Sequence, residues 1–89
     1  MMDRVKLSRE DVSEAMKRVE AALYARLDEK GYGTFSSTHE IRGVLDEEYN
    51  ELREAMHAND YEAIESELLD LAVGAIFGYA CVNGNFIDW

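Results

Sequence analysis

A chain of 89 residues, 47% of them hydrophobic, holds enough apolar matter for one small domain and not for two. Nine Lys and Arg stand against nineteen Asp and Glu, and a formal net charge of −10 argues against a DNA- or RNA-binding face. A small anionic ligand stays open where a cation bridges it.

Without proline nothing interrupts long helices, so the composition favours an all-α fold. Cys81 is the single cysteine, so no intrachain disulfide can form. The opening MMDRVKLSRED lacks the apolar run of a leader segment. Together these set the expectation of a cytoplasmic protein. The longest apolar run, LLDLAVGAIFGYACV, contains Asp70 and is too short to span a bilayer, so no membrane partner is expected.

Three helices are expected in one domain over residues 1–89, at about 8–30, 38–58 and 60–82. In the first, Ser8 is the candidate N-cap and Asp11 answers it as in a capping box. Val12, Met16, Val19, Leu23 and Leu27 follow as one stripe, and Gly31 is the expected stop. GYGTFSST reads as a loop. Ser37 and Glu40 make a capping box for the second helix, whose stripe is Ile41, Leu45, Leu52 and Met56 with Val44 alongside.

HAND ends that helix. Asn59 with Glu62, or Asp60, caps the third, with Ile64, Leu68, Leu71, Ala75, Tyr79 and Val82 as its stripe. NGNFIDW closes as a turn and a short tail, with Phe86 and Trp89 expected to fold back on an apolar surface. The connection between the second and third helices is so short that they should form an antiparallel αα-hairpin. From Val73 onward the third helix is apolar on every side, and such a helix is buried all round. A three-helix monomer can hardly bury it, so oligomerisation should complete a helical bundle. GAIFG is the expected seam, with Gly74 and Gly78 allowing close backbone approach.

The stretch from Glu47 to Asp70 holds nine carboxylates in 24 residues. Glu47, Glu54, Glu62 and Glu65 read as solvated helix surface. Glu48 differs, because helical phase places it between Leu45 and Leu52 on the apolar side, with Glu51 at its edge. Across a hairpin these two can face Glu67 and Asp70. Like charges about 6 Å apart repel by about 3 kcal/mol at an effective dielectric near 20, so protons or cations must relieve such a cluster. Arg42 and Arg53 are too few to neutralise it. A hard divalent cation with oxygen ligands would do so, and Mg²⁺ characteristically takes carboxylates together with phosphate and water.

Glu48-x-x-Glu51 followed by Glu67-x-x-Asp70 resembles the ExxE…ExxD signature of the MazG-like all-α nucleotide pyrophosphohydrolases. HEIRGVLDEEYNELREAM and ESELLDLAVGAIFGYA look like the paired helices of the small phage and bacterial members, so the resemblance covers residues 36–82 and is looser before them. It implies a helical bundle built as a homodimer or a dimer of dimers, with the site between helices. It further implies Mg²⁺-dependent (or Mn²⁺-dependent) hydrolysis of a nucleoside triphosphate to the monophosphate and pyrophosphate, a nucleotide-pool housecleaning reaction.

Carried over by position, Glu48, Glu51, Glu67 and Asp70 are the metal ligands, with Glu48 or Glu51 as general base and Glu47 a weaker candidate. Many members hold the phosphates with basic residues after the ExxD helix, whereas no Lys or Arg follows Arg53 here. Phosphate contacts are then expected from Arg26, Lys30 or Arg42, or from a partner subunit.

His39 is a further substrate-contact candidate, though its place at a helix start reads more simply as surface. Tyr24, Tyr32 and Phe35 are as readily core or interface as base-stacking groups, and Cys81 reads as packing. Two rivals remain. Phosphoribosyl-ATP pyrophosphohydrolase shares the metal logic. A non-catalytic acidic interaction module would make the carboxylates a solvated face.

Overall fold

The computed structural model describes residues 3–87. Among them are three helices and no strand: α1 Arg9–Lys30, α2 Thr38–His57 and α3 Tyr61–Asn83. None of the helices is long and apolar enough to cross a membrane.

Local side-chain chemistry fixes the helix ends. At α1 the Asp11 amide donates to the Ser8 hydroxyl (3.1 Å) and the Ser8 amide donates back to the Asp11 carboxylate (2.9 Å), a closed capping box. Gly31 ends the helix at φ 93°, in the left-handed region that a side chain would strain.

At α2 the Glu40 amide donates to the Ser37 hydroxyl (3.2 Å), but the Glu40 carboxylate accepts from the Ser36 amide (2.9 Å) rather than from Ser37. The box is therefore displaced by one residue. Asp60, not Asn59, caps α3 by accepting from the Ala63 amide (3.2 Å). Asn59 turns the chain at φ 53°, a conformation asparagine tolerates better than most residues.

The packing differs from the expected stripes on α3. Val73, Gly74, Gly78 and Cys81 are its buried residues, while Leu68, Tyr79 and Val82 stand exposed. The helix is apolar all round, so periodicity alone carries no phase there; close approach of the backbones selects the glycine column. A Cβ at Gly74 would lie 3.4 Å from Leu45 Cδ2, and one at Gly78 would lie 3.3 Å from Ile41 Cγ2. The glycines expected at a subunit seam are thus spent inside the chain, against α2.

On α2, Leu52 and Ala55 are the buried pair, Ile41, Val44 and Leu45 are half-buried, and Met56 points outward. Phe35, from the loop before α2, closes one end of the contact with an edge-to-face stack on Phe77, centroids 5.1 Å apart. After α3 the tail buries Ile87 rather than Phe86, and the Thr34 hydroxyl donates to the Phe86 carbonyl (3.0 Å). Trp89 lies outside the described residues.

The first helix packs on α3 and not on α2, and it contributes no buried residue. Leu23, Arg26 and Leu27 are half-buried, whereas Val12 and Met16, nearer its start, are exposed.

Overfilling the glycine column should be costly and altering the outer face should not. Gly78→Leu is expected to destabilise the fold by about 1–3 kcal/mol through overpacking on Ile41 and Phe35. Val82→Thr should stay within about 0.5 kcal/mol of wild type. Urea melts followed by circular dichroism measure both; equal costs at the two positions would contradict this choice of face.

Candidate metal centre

Glu48 lies three residues after Leu45 and four before Leu52, so the α2 face that buries leucine also carries a carboxylate inward. On α3, Asp70 stands one turn before Gly74 and two before Gly78, on the column that closely approaches α2, and Glu67 precedes it by three residues. Each of Glu48, Glu67 and Asp70 offers a carboxylate oxygen, and these oxygens lie within 4.8 Å of one another. All three side chains are half-buried. Glu51 is exposed at the edge, and its carboxyl acts on that of Glu67. Glu47, Glu54, Glu62 and Glu65 are exposed.

One positive charge reaches the cluster, and it comes from α1. Arg26 Nη2 donates to Asp70 Oδ1 at 3.2 Å, tying residues 44 apart in sequence. Sequence reasoning placed Arg26 among the phosphate-contact candidates and looked to Arg42 and Arg53 for local neutralisation. Its inward position had a sequence signal, since at 100° per residue it falls about 60° from Leu23, at the border of the apolar stripe of α1. Arg42 instead pairs with Asp46 on the exposed side of α2 (3.5 Å). Lys30 and His39 are exposed. His39 sits nine residues before Glu48, about 14 Å along the helix axis.

The remaining repulsion shows in the proton affinities. Burial pushes the Glu48 carboxyl above its ordinary range, and the Asp70 and Glu51 charges push it further while Arg26 opposes them. Glu67 is raised first by burial, then by the Glu51 carboxyl beside it, then by the charges of Asp70 and Glu48. Glu67 Oε2 is buried without a hydrogen-bond partner. An ionised carboxylate oxygen can only accept, so that atom calls for a proton or a cation.

An all-carboxylate donor set is hard, which suits Mg²⁺, Mn²⁺ or Ca²⁺ and not a thiolate- or imidazole-seeking metal. The residues present therefore fit a hard divalent cation, with Glu48, Glu67 and Asp70 at the centre and Glu51 alongside. No family model, curated protein or solved structure matches the chain.

Groups that hold protons more tightly in the folded chain stabilise it below their unfolded pKa, and this stability is lost as pH rises through the folded value. For Glu48 and Glu67 the loss therefore begins near the ordinary value of 4.5 and continues above it. In EDTA, the urea midpoint of the wild type should fall from pH 4.5 towards neutrality more steeply than that of Glu67→Gln. The variant should be the more stable of the two at pH 7. A variant less stable than wild type at pH 7 would mean that the Glu67 charge is already compensated without metal.

Proposed function

We propose that this chain is a MazG-like, Mg²⁺-dependent nucleotide pyrophosphohydrolase that converts a (d)NTP and water to the (d)NMP and pyrophosphate, and that it works as a homo-oligomer. In this reading α2 and α3 form an antiparallel hairpin, supported by contacts in opposite order: Ile41 with Gly78, Leu45 with Gly74. The observation that carries the reading is the convergence of Glu48, Glu67 and Asp70 from the ExxE and ExxD pairs on one point.

When bound, the divalent cation supplies positive charge to the phosphates and a fixed position for water. Glu48, Glu67 and Asp70 would hold it, and Mn²⁺ would serve in place of Mg²⁺. Water attacks the α-phosphorus, a carboxylate oxygen of Glu51 or Glu48 takes its proton, and the bond from that phosphorus to the bridging oxygen breaks to release pyrophosphate. Glu51 suits the base role because it is exposed beside the cluster rather than held within it. Arg26 stands one hydrogen bond from the ligands. The Arg26 guanidinium would be available to grip the phosphates in a bidentate manner where Asp70 served as a metal ligand.

The rival reading, a non-catalytic acidic interaction module, draws support from the Arg26–Asp70 pair, which already neutralises one ligand, and from the lack of any Lys or Arg after Arg53.

Mg²⁺ or Mn²⁺ should raise the melting temperature of the wild type, and Glu48→Gln combined with Asp70→Asn should abolish the rise. Screening purified protein against canonical and modified (d)NTPs for pyrophosphate release should find a substrate. On that substrate Arg26→Gln should raise KM more than it lowers kcat. A metal-dependent shift with no turnover across the panel favours the module; no metal-dependent shift sinks both the metal centre and the enzyme.

A further inference from the structure

The first helix leaves a large apolar surface open. Its first two-thirds and the α3 residues Ala72 and Ile76 border a cleft of about 1570 Å³, with none of the four candidate metal ligands in its lining. Val12, Met16 and Tyr24 on one wall and Ile76 on the other are all exposed by 45% or more. Apolar side chains thus face water along one side of α1 and the facing edge of α3.

The whole chain carries the same signature. It exposes 7488 Å², whereas a compact protein of 10.1 kDa exposes about 5,300 Å². Its radius of gyration is 15.2 Å, against about 12 Å for a compact chain of this length. Residues 3–8, exposed ahead of α1, account for part of the excess area of about 2,200 Å², and a standard interface needs only about 800 Å² from each partner.

Charge selects the occupant. Residues 1–30 hold seven of the nine basic and seven of the nineteen acidic side chains, so this third of the chain is neutral. Residues 31–89 hold two basic and twelve acidic side chains and carry the entire −10. Two copies meeting through α2 would press like-charged surfaces together. Two copies meeting through α1 bring together neutral surfaces of mixed sign around an apolar stripe. Such a patch is self-complementary, as a two-fold interface requires.

We propose that the cleft between α1 and α3 is the docking site for α1 of a second copy of this chain, in a two-fold homodimer built on Val12, Met16, Tyr24 and Ile76. This places the seam on α1 and the outer side of α3, not on the glycine column. It specifies the surface for the oligomer named above and owes nothing to the catalytic reading, so dimerisation and turnover can fail separately.

Sedimentation equilibrium at micromolar concentration should give a mass at least twice 10.1 kDa. Met16→Glu and Ile76→Glu, singly and together, should lower it towards the monomer with the far-ultraviolet helical signal retained. Because either variant could unfold, amide exchange of the wild type provides a second readout: exchange across residues 9–24 should slow as protein concentration rises. A wild-type monomer that melts cooperatively overturns the proposal and leaves the cleft to some other occupant. So does an oligomer whose mass survives both substitutions and whose α1 exchange is independent of concentration.

Discussion

The close approach of α3 to α2 at Gly74 and Gly78 is the constraint on which the rest of this molecule depends. With no Cβ on either residue, Leu45 and Ile41 occupy the space that side chains would fill. The same column of α3 carries Asp70 one turn earlier, and the same face of α2 carries Glu48 one turn beyond Leu45. Packing that brings apolar groups together at one level therefore brings carboxylates together at the next. The core that enforces this is small: Leu52, Ala55, Val73, Cys81 and Ile87 are its buried hydrophobic residues among those described. Burial of carboxylates, and then their like charges, oppose that packing, and together they raise the proton affinities of Glu48 and Glu67.

Arg26 offsets part of that repulsion and, among the described residues, gives α1 its ionic tie to α3. A single guanidinium facing four acidic side chains leaves the cluster short of positive charge. Glu67 Oε2, buried and unpartnered, is where that deficit is most localised. A cation would serve twice, by neutralising the carboxylates and by freeing Arg26. This makes α1 more than scaffolding. Its inner face bears on the site, and its outer face is the neutral surface on which a second copy is proposed to dock.

The helix ends were legible in the sequence because caps are local: Ser8 with Asp11, Ser37 with Glu40 and Asp60 all act within four residues. The inward phase of Glu48 was legible because α2 has polar residues that define its other side. On α3 the reading by stripe held for the half-buried Ile64 and Leu71 and failed after them. Beyond Val73 both faces are apolar, so Ala75, Tyr79 and Val82 were as good a stripe as Gly74, Gly78 and Cys81. What decided between them was steric closeness, a property of two helices together. The pairing of Arg26 with Asp70 was illegible for a similar reason, since it depends on where α1 crosses α3. The displacement of the second capping box to Ser36 turns on the path of a loop that one-residue spacing rules do not fix.

Crystals grown with Mn²⁺ and measured at its absorption edge test the central claim, that these carboxylates converge to hold a divalent cation. The account predicts an anomalous peak bonded to oxygens of Glu48, Glu67 and Asp70, with the Arg26 guanidinium moved off Asp70. Absence of a peak at saturating Mn²⁺, with Arg26 and Asp70 still paired, would contradict it.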